Sequence, residues 1–209
     1  MVYKKLRIKY SRTGRLRLIS HLDICRTIRT AFRRAKIEVR YSEGYNPHPR
    51  MNFLLPLPLG AESNCEYLDI FVPESDEPAD VCARLDAATA PELHFIYAYE
   101  PDSQLYDTAY SDYEMILYKA DLAGVNVIIE NPPHIQKKTK SGAVNDVDIR
   151  PLIRSARAEQ AGENVIVYAT LECREKSYLN PDTYASLFEC EDHLIRRTAL
   201  YFADGREFC

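Results

Sequence analysis

The sequence lacks closely spaced cysteines. Its six cysteines lie at least 17 residues apart. Zinc knuckles, thioredoxin-type pairs and iron–sulfur sites need two cysteines within a few residues, so that one turn can present both sulfurs. The spacing therefore predicts free, mostly buried thiols in a reducing compartment, with no metal and no cofactor. A metal held by distant Cys and His residues is the minor alternative.

Long apolar runs and glycine-rich motifs are missing as well. No stretch approaches the roughly 18 apolar residues that a membrane span needs. The first five residues, MVYKK, lack the apolar core of a signal peptide. With only 7 glycines, the chain has neither a phosphate-cradling Gly-rich loop nor a Gly-x-Ser-x-Gly elbow. We therefore expect a cytoplasmic protein that does not contact membranes.

Size and composition are those of an ordinary globular protein. The chain has 209 residues, of which 46% are hydrophobic and 28% charged. These values exclude disordered, collagen-like and low-complexity classes. The length allows one large domain or two small ones, either of which could bury a core.

Charge is unevenly distributed along the sequence. Residues 1–50 hold 14 Lys and Arg against 3 Asp and Glu, a net charge of +11, whereas residues 51–209 have a net charge of -15. The whole chain carries only -4. A basic beginning on a mildly acidic chain suggests that one face binds an anionic partner.

The first half of the chain predicts the element order strand, helix, strand, strand, helix, strand. Residues 6–10 alternate apolar and cationic side chains, which indicates a half-buried strand. Residues 16–19 are expected to continue extended, and Ser20 with Asp23 predicts the start of a helix that runs to about Lys36. That helix has an apolar face and a cationic stripe. Residues 37–41 alternate again. The remaining predictions are strands at 53–55, 66–72 and 93–99, a loop at 42–49 and a helix at 78–90.

The second half predicts the same order. We expect a strand at 110–118, a helix at 121–129, a strand or hairpin at 135–149 that turns near Ser141, a strand at 165–172, a helix capped by Asn180, and a strand at 194–202. Two βαββαβ units fit the length. The predicted fold is α+β, with two tandem ferredoxin-like units that have antiparallel sheets, at 1–103 and 104–209.

Four segments carry a resemblance to a known family. They are residues 14–23 (GRLRLISHLD), 41–50 (YSEGYNPHPR), 56–60 (PLPLG) and 66–69 (EYLD), and residues 140–151 are similar too. The chain resembles the bacterial radical SAM-linked protein family, a domain of unknown function fused to, or encoded beside, cobalamin-binding radical SAM proteins. Pro56 departs from the small residue more usual in that family. The resemblance covers most of the chain and implies a radical SAM protein as partner, but it implies no reaction.

The chain itself is not expected to be the radical enzyme. A radical SAM cluster needs three cysteines spaced three and two residues apart, and the spacing found here excludes that pattern. An accessory role is therefore the leading interpretation.

Arginines dominate the candidate nucleic-acid-binding residues. The guanidinium group suits bidentate phosphate contacts and stacking on bases, and nearby tyrosines could offer further stacking faces. A solvated surface, pairing with the acidic residues of the same fold, and a protein partner are the alternatives. The candidate set is Arg7, Lys9, Arg12, Arg15, Arg17, Arg26, Arg29, Arg33 and Arg50.

Two histidines and one aspartate are candidate catalytic residues. His21 and His48, lying near cations, could act as general acid and base in metal-independent RNA cleavage. The structural alternative makes Asp23 a helix-capping residue and His48 a hydrogen-bonding residue that fixes its loop.

The loop at 42–50 is a candidate recognition element. Tyr45, Asn46 and His48 are interspersed with glycine and proline, which give the loop a fixed shape. A purely structural corner is the alternative. A second cationic cluster, interpreted as an exposed hairpin, comprises Lys137, Lys138, Lys140, Arg150, Arg154 and Arg157.

Taken as a whole, the sequence predicts an accessory protein that binds ribosomal or transfer RNA and works with a radical SAM partner enzyme. A metal-independent endoribonuclease that uses His21 and His48 is one alternative. A pure protein-interaction subunit is the other.

Overall fold

The computed structural model describes residues 2–138, 144–174 and 177–208. Within these residues the chain forms ten β-strands and four α-helices, which confirms the predicted α+β class. The chain divides into two compact units, Met1–Asp107 and Thr108–Cys209. None of the helices in the described residues has the length and apolar character needed to cross a membrane.

Unit 1 contains four strands and two α-helices. In chain order they are β1 (Tyr3–Arg12), α1 (His21–Arg34), β2 (Met51–Phe53), β3 (Glu62–Pro73), α2 (Pro78–Ala87) and β4 (Leu93–Tyr99). The sheet order is β4-β1-β3-β2, and every pairing is antiparallel. The order of elements is therefore the one predicted for the first half of the chain.

Both α-helices of unit 1 pack on the same face of its sheet. Leu6, Ile8 and Tyr10 of β1 are buried in one cluster with residues of α1 and α2. The alternation predicted for β1 is thus confirmed. The buried residues that α1 and α2 contribute are Ile24, Ile28, Ala31, Phe32, Val81, Cys82 and Leu85.

The beginning of α1 is fixed by a side-chain cap. The Asp23 backbone N–H donates to Ser20 Oγ at 3.2 Å, and the Ser20 hydroxyl donates to the Asp23 carboxylate at 2.7 Å. The predicted helix start is confirmed. The helix ends at Arg34, slightly before the predicted end at Lys36.

The prediction of an extended segment at 16–19 is wrong, because Gly14–Leu18 forms a 3-10 helix. The buried Arg12 guanidinium donates to the carbonyls of Leu16 and Ile19, and so draws this segment into a tight turn. Gly14 opens the turn with φ at +58°, a left-handed conformation that favours glycine.

The alternating segment at 37–41 makes little backbone pairing. Ile37 and Val39 are buried, as the alternation indicated, but the segment has only isolated backbone pairing. The Arg40 N–H donates to the Phe71 carbonyl, and Tyr41 forms a single bridge with Pro49. The segment is extended without being a strand of the sheet.

The described residues of unit 2 form six strands and two α-helices. In chain order they are β5 (Thr108–Tyr118), α3 (Leu122–Glu130), β6 (Ile135–Lys138), β7 (Val144–Val147), β8 (Ile153–Ala161), β9 (Asn164–Glu172), α4 (Pro181–Ala185) and β10 (Asp192–Phe202). Four of the strands form an antiparallel sheet in the order β10-β5-β9-β8. Strands β6 and β7 form a separate antiparallel pair.

The second strand of the unit 2 sheet was missed by the sequence prediction. The segment at 135–149 forms the β6–β7 hairpin, whose predicted turn near Ser141 lies outside the described residues. Strand β8 occupies the position beside β9 that the sequence prediction gave to the segment at 135–149. It was missed because it is an edge strand that turns alanines toward one face and charged or polar side chains toward the other.

Candidate nucleic-acid interface

An open cavity of about 310 Å³ lies beside the first half of α1 in unit 1. It brings together His21 and Arg29 of α1 with His48 and Arg50 of the loop at 42–50, all four of which are candidates from the sequence. The other lining residues are Cys25, Ser42, Pro49, Met51, Asn52 and Phe53. None of the ten is acidic.

Helix α1 supplies one wall of the cavity through residues spaced four apart. His21, Cys25 and Arg29 share one side of the helix, because positions i, i+4 and i+8 follow one ridge. The His21 ring packs edge-on against Phe53 of β2, with ring centroids 4.9 Å apart. Its Nε2 lies 3.6 Å from Cys25 Sγ. Packing on both sides therefore fixes the orientation of His21.

The His21 imidazole is neutral at pH 7. Partial burial lowers the pKa of His21, and the positive charge of Arg12 lowers it further, whereas Glu66 acts in the opposite direction. Burial raises the pKa of the Cys25 thiol, and the charge of Arg29 partly offsets that effect. At neutral pH this wall accordingly presents an uncharged imidazole and an uncharged thiol.

The loop at 42–50 supplies a second part of the cavity lining and is closed by two of its own residues. The Ser42 N–H donates to the His48 carbonyl at 2.8 Å, and the His48 N–H donates to Ser42 Oγ at 3.1 Å. His48 Nδ1 lies 3.1 Å from Ser42 Oγ and 3.3 Å from the Asn46 carbonyl oxygen. His48 thus fixes the loop through Nδ1, which leaves Nε2 for another partner.

The other two loop residues predicted for recognition project outward. Tyr45 is fully exposed and Asn46 is exposed, and neither lines the cavity. Gly44 precedes them with φ at +128°, which lets the chain turn sharply. The tyrosine ring is therefore displayed at the tip of the closed loop.

Two arginines of the cavity have no carboxylate partner. Arg29 and Arg50 form no ion pair within the residues that the structure describes. The Arg29 Nε is buried and has no hydrogen-bond acceptor among these residues. The Arg50 guanidinium is exposed and lies over the Phe71 ring, 5.6 Å from its centroid. The cavity therefore has two positive charges that nothing in the described chain neutralises.

Arg7 and Arg12 do not belong to a phosphate-contacting surface, and the prediction for these two residues is wrong. Arg7 is completely buried and donates to both carboxylate oxygens of Asp69, at 2.7 and 3.0 Å. Arg12 is buried and donates to backbone carbonyls. Because the sequence cannot say which cations have internal partners, it counted both as surface charges.

The other predicted cations differ in how free they are. Arg15 and Arg33 are exposed. Lys9 is half-buried, with its ammonium 5.7 Å from the ring centroids of Tyr67 and Tyr97. Arg17 lies 3.9 Å from Glu62, and Arg26 forms a 2.7 Å ion pair with Asp23. The cations left for an external anion are therefore chiefly Arg15, Arg29, Arg33 and Arg50.

Asp23 acts as a capping residue. Both of its carboxylate oxygens are engaged, one by the Ser20 hydroxyl and the other by Arg26. The hydrogen bond from Ser20, and next that from Arg26, lower the pKa of Asp23. Asp23 does not line the cavity. Its geometry matches the structural alternative rather than the catalytic one.

The charge asymmetry of the sequence is balanced inside unit 1. Unit 1 carries 15 Lys and Arg and 15 Asp and Glu, so the +11 of its first 50 residues is cancelled within the same unit. Several cations of residues 1–50 pair with carboxylates that come later in the unit. These pairs are Lys4–Glu100, Lys5–Asp69, Arg7–Asp69 and Arg17–Glu62. Because unit 1 has no net positive charge, any anion-binding surface on it must come from a local cluster of cations.

Sequence reasoning missed Cys25, Ser42 and Asn52 as lining residues, and it offered pairing with acidic residues of the same fold without identifying which carboxylates pair with which arginines. The spacing of Cys25 from His21 and Arg29 along α1 could have identified the first of these. The register of β1 against β3 was needed for the carboxylates, since it pairs Arg7 with Asp69. Tertiary folding alone brings Ser42 and Asn52 to α1.

Comparison with known proteins gives one family. Residues 5–181 match the model of a family described as "Uncharacterized protein conserved in bacteria (DUF2344)". None of the curated proteins compared with the chain matches it. The match covers most of the chain, including every residue of the cavity and both helices of unit 1. The chain therefore belongs to this family of bacterial proteins.

Proposed function

We propose that this protein binds single-stranded RNA with the face of unit 1 that carries the cavity. The observation that carries the proposal is the meeting of Arg29, His48 and Arg50 at one concave surface without an acidic residue. Guanidinium groups bind phosphates in a bidentate manner, and the exposed Tyr45 ring offers a face for stacking of a base. Arg15 and Arg33 are further phosphate contacts.

We further propose that the protein is an accessory partner of a radical SAM protein. The support is the resemblance of four sequence segments to the radical SAM-linked family. In unit 1 these segments lie together: the Gly60 N–H donates to the Arg17 carbonyl, and His21 and His48 line the same cavity. Residues that share one region of the surface suit one shared role, such as presenting RNA to a second enzyme.

We also propose that each unit is ferredoxin-like. Each sheet has its strands in the order fourth, first, third, second, counting within the unit and setting aside the β6–β7 pair. Antiparallel βαββαβ units of this kind have a helix-covered face and an open face.

Salt dependence of RNA binding tests the proposed function. If Arg15, Arg29, Arg33 and Arg50 each neutralise one phosphate, affinity for single-stranded RNA falls about 50-fold between 50 and 200 mM salt, at roughly 0.7 released counterions per contact. Fluorescence anisotropy with a labelled single-stranded RNA measures this slope. Absence of binding at 50 mM salt, or an affinity that does not change with salt, would contradict the proposal.

A matched pair of variants locates the RNA on this face. The double variant Arg29→Gln/Arg50→Gln should weaken binding and flatten the salt slope by about two contacts. Arg34→Gln removes an exposed arginine from another side of α1 and should leave both quantities unchanged. Equal losses in the two variants would show a non-specific charge effect instead.

An endoribonuclease is the second candidate function. It is favoured by one observation, that His21 and His48 line the same cavity. A neutral His21 could accept a proton from a ribose 2′-hydroxyl while His48 donates one to the leaving oxygen. His21→Ala and His48→Ala should then abolish cleavage of bound RNA while binding persists. Cleavage that is unchanged in both variants would exclude this function.

A pure protein-interaction subunit is the remaining alternative. Co-purification with a radical SAM protein, carried out with and without ribonuclease, separates it from the RNA-binding proposal. A complex that survives ribonuclease and retains no RNA would favour the protein-interaction role. Recovery of bound RNA with the complex supports the proposed function.

A further inference from the structure

We infer that the cavity of unit 1 is a binding site for a phosphate monoester, which in the proposed function is the terminal phosphate of an RNA strand. This inference rests on the proposed function for the source of the phosphate. The chemistry of the site, however, is argued from the lining residues alone.

Arg29 carries a hydrogen-bond donor that is not satisfied within the described chain. Its Nε is buried and finds no acceptor among the described residues. Buried polar groups in proteins nearly always have a hydrogen-bond partner, and a buried charged donor without one is costly. An anion with several acceptor oxygens, placed in the cavity that Arg29 lines, would supply the missing acceptor.

The lining of the cavity is positively charged. Arg29 and Arg50 contribute two positive charges that no carboxylate in the described chain neutralises, and no lining residue is acidic. His21 stays uncharged because its pKa is lowered. A phosphate monoester carries about two negative charges at pH 7, whereas an internal phosphodiester carries one. The site therefore matches the monoester better.

Neutral hydrogen-bonding side chains lie around the two arginines, because Asn52, Ser42 and His48 line the same cavity. With the Ser42 hydroxyl donating to His48 Nδ1, 3.1 Å away, the neutral ring carries its proton on Nε2 and can donate it to a ligand oxygen. Such groups can bind phosphate oxygens without changing the charge of the site.

The volume of the cavity suits a single phosphorylated nucleotide end. A volume of about 310 Å³ lies at the lower end of the range for small-molecule sites. It can hold a phosphate with its sugar but not a duplex. The exposed Tyr45 ring, at the tip of the loop that forms one wall, is placed to contact the nucleotides that follow.

The test compares RNAs of one sequence that differ only in their ends. Strands with a 5′-phosphate, a 3′-phosphate or no terminal phosphate are titrated by fluorescence anisotropy at fixed salt. One phosphorylated form should bind at least about tenfold more tightly than the unphosphorylated strand, as expected for charge-assisted hydrogen bonds. Arg50→Gln should reduce this preference toward one, and Arg34→Gln should preserve it. Arg50 is exposed, so its variant should fold even if an Arg29 variant does not.

A second measurement uses the protein without RNA. Cys25 lines the cavity and is half-buried, so a nucleoside 5′-monophosphate should slow its alkylation. Cys190, a half-buried free cysteine in unit 2, serves as the internal reference and should react at an unchanged rate. Mass spectrometry of the two peptides gives both rates in one sample.

The outcomes separate the inference from the proposed function. Equal binding of phosphorylated and unphosphorylated RNA, with no protection of Cys25, would overturn the phosphate site and leave RNA binding standing. Protection of Cys25 by the monophosphate, with no binding of any RNA, would support the phosphate site and overturn the RNA function.

Discussion

Arg7 of β1 and Asp69 of β3 are register partners, and their side chains form a buried two-point ion pair. The same guanidinium also donates to the hydroxyl and the carbonyl of Ser103, each at 2.9 Å. One arginine therefore joins two central strands and the segment that follows β4. The charge that looked in sequence like part of a binding surface is a structural tie inside unit 1.

Removing one member of this pair should destabilise the protein strongly. Asp69→Asn leaves the buried Arg7 charge without its counter-charge, and we expect the free energy of unfolding to fall by about 3–5 kcal/mol. Chemical denaturation measures the change. The matched control is Arg26→Gln, which breaks an exposed ion pair with Asp23 and should cost less than about 1 kcal/mol. Similar losses in both variants would contradict the structural role given to Arg7.

The pKa of His21 predicts a pH dependence of stability. His21 has a pKa below its usual value of 6.5 in the folded protein, because burial and Arg12 disfavour its charged form. Protons therefore bind the unfolded chain more readily, so the contribution is complete above about pH 6.5 and is lost as the pH falls toward the folded pKa. His21→Gln should remove this part of the decline. The measurement is the free energy of unfolding of the original protein and of His21→Gln between pH 7.5 and 5. A difference between the two that does not change with pH would contradict the prediction.

Tyr184 in α4 should tolerate loss of its hydroxyl. The side chain is buried, the hydroxyl has no hydrogen-bond partner in the described chain, and burial raises the pKa of Tyr184 to about 12. Tyr184→Phe should therefore raise the free energy of unfolding by about 1 kcal/mol. Tyr113→Phe is the opposite case, because the buried Arg197 Nε donates to the Tyr113 hydroxyl, and it should be destabilising. Thermal unfolding of both variants checks the contrast in sign.

Loss of the α1 cap should reduce stability by a smaller amount, and a different capping residue should avoid that loss. Ser20→Ala removes the acceptor for the Asp23 N–H and should cost about 1 kcal/mol of stability. Ser20→Thr keeps both the capping oxygen and the hydroxyl that donates to Asp23, so it should retain most of the stability that Ser20→Ala loses. Because Asp23 acts as a capping residue, Asp23→Asn should leave any RNA cleavage unchanged. A loss of cleavage in this variant would instead indicate a catalytic role.

Local sequence signals predicted most of the elements well. The apolar alternation of β1, the Ser20 cap of α1 and the prolines around His48 each act over a few residues, and each is present in the fold. Strand β4 at Leu93–Tyr99 was predicted with its observed bounds. Such features depend on backbone preferences and burial, which neighbouring residues determine.

The remaining features depend on residues far apart in sequence. The turn at Gly14–Leu18 exists because Arg12 binds its carbonyls, and Arg12 is buried only after β1 and β3 pair. Strand β8 is held by pairing with β9 rather than by its own apolar residues. The cavity combines α1 with the loop at 42–50, so its histidines could be nominated from sequence but not placed together.

The hydrogen bonds between Ser42 and His48 have a kinetic consequence. They hold the two ends of the loop together in the free protein, so Tyr45 is presented before any partner arrives. Ordering a mobile loop during binding consumes free energy and slows association, and a preorganised loop avoids both effects. The rate of association with a partner should therefore be limited by diffusion and electrostatic steering. Ser42→Ala should loosen the loop and lower the association rate constant.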